Sequence, residues 1–150
     1  EIAGFLMEKG IDFPKIIDDS FFAKTYGQAK IHGRAVLESV RSLDNRCVYT
    51  VVTTDELREY GCTVKATDGI VDQLRIIEGI EIAFLLYQTG NPDEYKVSLR
   101  TNSAVDVSRI ALSFGGGGHV KAAGCTMTGE PQEIVEKISG KIREQWEELK

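Results

Sequence analysis

Ser113-Phe114-Gly115-Gly116-Gly117-Gly118-His119-Val120-Lys121-Ala122-Ala123-Gly124 sets four consecutive glycines directly after an apolar-periodic segment, with a histidine and a lysine on the exit side. Glycine lets backbone N–H groups approach an anion without a Cβ in the way, and it tolerates φ > 0. The alternatives are a flexible linker or a helix cap with spare glycines. A cap needs one glycine at C′, not four, and Gly/Ser linkers rarely sit flush between two ordered apolar segments. Gly115, Gly116, Gly117 and Gly118, with His119 and Lys121 beside them, therefore read as a phosphate-binding loop between a helix and a strand.

Downstream, Ala122 to Thr128 reads as a strand. Pro131 stands at N1 of a final helix with Ile134, Val135, Ile138, Ile142, Trp146 and Leu149 on one face. Gly140 lies off that stripe, at a cost of about 1 kcal/mol relative to alanine. Upstream, Val107, Ile110, Ala111 and Phe114 form the apolar face of the helix that delivers the chain into Gly115. Before it, Tyr95, Val97 and Leu99 alternate with Lys96, Ser98 and Arg100, a strand with one polar face ending at Thr101 and Asn102. Ile80 to Tyr87 is a nearly continuous apolar run, expected of a central strand covered on both sides. The turn Thr89-Gly90-Asn91-Pro92-Asp93 makes these two strands an antiparallel pair.

Val48 to Val52 is a short β-branched strand, and Thr53-Thr54-Asp55-Glu56-Leu57 supplies an N-cap and acidic first turn for a brief helix ending near Gly61. Thr67-Asp68 is expected to cap the next helix, with Ile70, Val71, Leu74 and Ile77 on one face and Gly79 closing it. Residues 1–43 read as helices: a short stripe of Ile2, Phe5 and Leu6 ended by Gly10, a restart at Pro14, and a helix from about Lys24 to Ser42 with Gly33, Val36, Leu37 and Val40 on one face. That face is narrow, and it reads as built for a missing domain or a second subunit. The fold class is α/β (α+β): a small mixed sheet of about four to five strands flanked by helices, with a helical linker at 1–43 and a domain at 44–150.

The 150 residues suffice for one domain with a real core. A hydrophobic fraction of 42% and a charged fraction of 27% are ordinary for a globular protein, and no apolar run reaches the roughly 18 residues of a membrane helix. The chain opens at Glu1, without methionine, in a helical pattern, which suggests a piece of a longer protein. A net charge of −5 argues against binding long duplex DNA and leaves room for a small phosphorylated ligand held by a local cluster. Cys47, Cys62 and Cys125 are three, far apart and without a CxxC pair, so reduced cytoplasmic thiols are expected. His32 reads as a surface or packing residue.

The glycines follow a helix and lack the GxxxxGK[ST] spacing, which excludes a Walker A loop and a dinucleotide fingerprint. His119 has no second histidine or cysteine at ligand spacing, so it suits a phosphate oxygen better than a metal. Arg100 can grip phosphate bidentately, against the alternative of a solvated strand-end arginine. Asp68, Asp72 and Asp106 stand at predicted helix starts, where acids stabilise the dipole, and Asp18-Asp19 reads as a solvated turn.

Val97-Ser98-Leu99-Arg100-Thr101-Asn102, then Val105-Asp106-Val107-Ser108-Arg109-Ile110-Ala111, then Phe114 with the four glycines and His119, and Ala122-Ala123-Gly124, together resemble the DHH-associated (DHHA-type) domain. That domain forms the C-terminal half of DHH-family phosphoesterases. Thr53–Leu57 and Thr67–Arg75 fit the bifunctional oligoribonuclease (nano-RNase) and pAp phosphatase subgroup. The resemblance covers roughly residues 44–150, and residues 1–43 are similar to the last helix of a DHH domain and its connecting helix.

The resemblance implies a two-domain cytoplasmic hydrolase. A DHH domain would carry two Mn²⁺ ions that activate water against a phosphodiester or phosphomonoester, and this domain would hold short RNA or a nucleotide phosphate. The family's phosphate contacts fall on Arg100 and His119, with Asn102, the glycines and Lys121 around them. No Asp-His-His triplet occurs, so no catalytic residue and no metal ligand is assigned in this chain, which would bind without cleaving. The alternatives are a cyclic-dinucleotide phosphodiesterase, a RecJ-like single-strand exonuclease, or a non-catalytic nucleotide-binding module like the one that ends alanyl-tRNA synthetases. A homodimer and the absence of a membrane partner complete the expectations.

Overall fold

A computed structural model describes residues 9–18 and 23–150. The stripe of Ile2, Phe5 and Leu6 lies outside the described residues, as does Asp19. A first short helix, α1 (Phe13–Ile17), is capped by Asp12 with Pro14 in its first turn. The helix α2 (Tyr26–Leu37) follows, capped by Thr25.

The expected helix to Ser42 stops earlier. Val40–Ser42 is a strand, β1, turned back onto β2 (Cys47–Val52) through Leu43, Asp44 and Asn45, all at φ between 50° and 62°. Tertiary pairing overrides the helical periodicity here, because β1 gains the edge of β2 as a partner. The buried face of α2 also differs from the expected stripe. Ile31, His32 and Ala35 pack inward, whereas Leu37 is 83% exposed and Val36 and Val40 face solvent.

From β2 the chain passes through α3 (Thr54–Glu59), a 3-10 turn (Val64–Thr67) and α4 (Ile70–Arg75), then returns as β3 (Ile82–Gln88) parallel to β2. Thr53 and Glu56 close α3 with a reciprocal capping box. The cap expected for α4 is corrected. Thr67 belongs to the 3-10 turn, and Gly69 at φ 86° is the N-cap, a conformation Thr67-Asp68 would not supply without strain.

β3 pairs antiparallel with β4 (Glu94–Thr101). Helix α5 (Val107–Ser113) leads to a short edge strand β5 (Gly117–His119), which hairpins into β6 (Ala122–Thr128). The long α6 (Pro131–Glu148) closes the chain, and Leu149 lies past its end, exposed. The sheet has six strands in the order β1-β2-β3-β4-β6-β5, two more than the sequence pattern showed at its lower count, because β1 and β5 are three residues each.

Two cores lie on the two faces of this sheet. On one, Ile82, Phe84, Leu86, Val97 and Leu99 meet Ile110 of α5 and Ile134, Ile138 and Ile142 of α6. On the other, Val48, Val52, Ala83 and Leu85 meet Ile31 of α2, Leu57 of α3 and Ile70 and Leu74 of α4. This second helical layer covers β2 and β3. It leaves Lys96, Ser98 and Arg100 of β4 and Ala122, Gly124 and Thr126 of β6 outside any core.

Candidate anion-binding cleft

That uncovered half of the sheet carries the predicted residues. Register partners across antiparallel strands point to the same face, so the alignment of Arg100 with Ala122, and of Ala122 with His119, sets Arg100 and His119 in one cross-strand row. Ala83, in the same row on β3, is buried under the α2–α4 layer, which identifies the shared face. The two side chains stand two strand spacings apart, about 10 Å between backbones. Only the methyl of Ala122 lies between them.

Arg100 is half-buried against α4. Its Nε donates to Asp72 Oδ1 at 3.2 Å, and Nη1 donates to the Leu99 carbonyl at 3.1 Å. The same Asp72 oxygen accepts from Arg75 Nε at 3.0 Å, so one carboxylate holds two guanidinium groups at one end of the cleft. Asp72 does sit in the first turn of α4, as its reading as a helix-start acid holds, and it also aims Arg100.

Asn102 is engaged within the protein. Its Nδ2 donates to the carbonyls of Arg75 (2.5 Å) and Ile80 (3.3 Å), and its Oδ1 lies 3.4 Å from Arg75 Nη1. It ties the end of α4 to the end of β4. Lys121 turns its ammonium to the Ser103 carbonyl. Asp72, Arg75, Arg100, Asn102, Lys121 and Ala122 line a cleft of about 380 Å³.

The glycines act differently from an amide nest. Gly115, at φ 77°, donates to the Leu112 carbonyl (3.0 Å) and Gly116 to the Ala111 carbonyl (2.9 Å), the paired bonds of a Schellman helix end. Their N–H groups are thus engaged and not free to bind an anion. A Cβ on Gly116 would fall 2.1 Å from the Gly124 carbonyl oxygen, and one on Gly118 2.5 Å from Ala123 Cα. A Cβ on Gly117 would meet nothing within 4 Å. Gly117 aligns with Gly124, and Gly124 with Ser98, on the face of Arg100 and His119. The contribution of the run is a tight β5–β6 apposition and a floor without side chains.

Asp106 has the capping role expected of it. It accepts from the Ser108 and Arg109 amides (2.9 and 3.2 Å) and the Ser108 hydroxyl (2.5 Å), and these bonds hold its carboxyl below the usual range. His32 is buried beneath the 3-10 turn. Its Nε2 donates to the Ala66 carbonyl (3.0 Å), and Nδ1 accepts from Lys24 (3.1 Å). Burial, then the Lys24 charge, lower its pKa. Burial also pushes the Cys47 thiol up to about 12, and Cys125 upward. All three cysteines are free.

Sequence reasoning missed Arg75 and Lys96. Arg75 leaves an Asp72–Arg75 i,i+3 pairing as its signal, but nothing local tells which strand α4 crosses. Among the described residues no three His, Cys, Asp or Glu side chains gather as a metal ligand set; the resemblance places the Mn²⁺ pair in a DHH domain and not on these residues. No described helix is long and apolar enough to cross a membrane.

Comparison with known proteins agrees with this architecture. The chain is 32% identical over 96 residues to the bifunctional oligoribonuclease and PAP phosphatase NrnA of Thermus thermophilus, a match covering 63% of this chain and 29% of that protein. It is 55% identical over 40 residues to the oligoribonuclease NrnB of Bacillus subtilis, covering 26% of this chain and 10% of the other. The chain thus spans less than a third of the length of these curated relatives. The crystal structure of an exopolyphosphatase-related protein from Bacteroides fragilis superposes with a TM-score of 0.87 at 22% identity, over 95% of this chain and 42% of that one, a likeness of fold. Residues 44–147, most of the chain and all of the sheet beyond β1, match the DHHA1 domain, and the chain belongs to that DHH-associated family.

Proposed function

We propose that this chain is the substrate-holding part of a phosphoesterase acting on short oligoribonucleotides, on 3′-phosphoadenosine 5′-phosphate (pAp), or on both. The observation that carries the reading is the Arg100–Ala122–His119 row on the uncovered face of the sheet. Arg100, oriented by Asp72, presents a fixed guanidinium to a phosphate from one side. His119, which makes no side-chain hydrogen bond among the described residues, faces it from the other. The names of the Thermus and Bacillus relatives support the substrate class.

The metal ions and the water they activate would come from a DHH domain outside the described residues. The chain's own contribution is to bind the phosphate, orient it and keep the floor clear for the rest of the nucleotide. Titration of pAp into the purified chain tests this. Binding is expected, and Arg100→Ala and His119→Ala are each expected to weaken it at least tenfold. Unchanged affinity in both variants would refute the reading.

A further inference from the structure

We infer that Lys96 forms a second phosphate subsite, so that the cleft takes an oligonucleotide laid lengthwise along β4 with its phosphates at Arg100 and Lys96. The inference rests on the reading of Arg100 and His119 as the first phosphate site. Lys96 and Arg100 are four residues apart on one strand, so they share a face at a spacing of about 13 Å. The ion pair with Asp72 draws the Arg100 guanidinium toward α4, away from Lys96. Lys96 is exposed and makes no hydrogen bond or ion pair among the described residues, whereas Lys121, Arg75 and Arg100 all have internal partners.

Between the two cations the face is Ser98, Gly124 and Gly117, and Lys96 lines a cleft of about 350 Å³ with Tyr87, Ser98, Gly116 and Thr126. The Arg100 and Lys96 clefts lie on the same two strands, β4 and β6, with the small Ser98–Gly124 pair between them. The separation exceeds that of the two phosphates on a single ribose. Both pAp and pApA, whose phosphates are one nucleotide apart, would therefore occupy the Arg100 end alone, and pApApA, whose outer phosphates are two nucleotides apart, would reach both.

The test compares pAp with 5′-phosphorylated di- and triadenylate (pApA and pApApA) by calorimetric titration into the 150-residue chain. Lys96→Gln is expected to weaken pApApA three- to tenfold and leave pAp unchanged. It should also reduce the slope of log K against log[salt] for pApApA by about 0.7, the loss of one phosphate contact to a single strand. Lys96→Arg should restore both. Equal effects of Lys96→Gln on pAp and pApApA, or no effect on either while Arg100→Ala weakens both, would overturn the second subsite and leave the first intact. If Arg100→Ala too is without effect, the first site fails with it. Lys96 is exposed, and retention of the wild-type thermal midpoint by its variants separates lost binding from lost fold.

Discussion

Arg100 and His119 are far apart in sequence, and an antiparallel register brings them to one row. The proposed charge-assisted contact from Arg100 to phosphate would contribute about 1.5–3 kcal/mol. Arg100→Ala should therefore cost roughly ten- to a hundredfold in affinity, read by titration with pAp. Arg143→Ala, on the opposite side of the molecule beside Trp146, should change that affinity little. The glycines provide a finer test. Gly118→Ala should destabilise the fold by about 1–3 kcal/mol in urea unfolding, because its Cβ would fall on the β6 backbone. Gly117→Ala should keep the stability and weaken ligand binding, because its Cβ enters open space on the floor of the cleft.

His32 gives a pH dependence with a definite sign. Its folded pKa lies below the ordinary 6.5, so the unfolded chain takes up the proton first as pH falls. Its contribution to stability is complete above pH 6.5, declines as pH drops below that value, and levels off once the folded pKa is passed. Urea unfolding at pH 7.5 and 5.5 should show this loss, and His32→Gln should flatten it.

At the scale of elements, α5 is fixed by α6 as much as by its own cap. The buried Gln145 donates its Nε2 to the Asp106 carbonyl (2.8 Å) and accepts from the Asp106 amide at Oε1 (2.9 Å). Gln145→Leu would leave both backbone groups unpaired and should cost about 1–3 kcal/mol in thermal or urea unfolding. The helix that feeds the glycines would lose its anchor, so pAp binding should weaken as well. The alternating pattern of β4 and the apolar face of α6 were legible residue by residue, because periods of 2 and 3.6 are local properties. β1 and β5 were not legible. Three residues carry too little periodicity, and each is a strand only because an edge is available to pair with.

For the molecule as a whole, a net charge of −5 coexists with a cleft where Arg75, Arg100 and Lys121 stand with a single carboxylate, Asp72, and with a neighbouring cleft lined by Lys96. The phosphate binding proposed here would thus be a local property, set by these side chains and not by the net charge. Because the described residues hold no metal ligand set, the purified chain with Mn²⁺ should release no phosphate from pAp. Sustained release that follows the protein through further purification would refute this. The buried thiols make a further check: Cys62, half-exposed, should react with a thiol reagent in the native chain while Cys47 and Cys125 stay protected.

The sequence by itself determined the α/β class, the order of the long elements, the caps at Thr53 and Asp106, and the family, because each depends on neighbours within a few residues or on a contiguous motif. Only the tertiary structure decided that α2 buries Ile31, His32 and Ala35, not Val36 and Leu37, and that the glycines serve by lacking side chains while the amides of Gly115 and Gly116 end a helix. The meeting of Asp72 with Arg100 was likewise decided there. These depend on which helix crosses which strand and on one strand's register against another, and chain entropy separates such contacts by tens of residues that no local pattern can bridge.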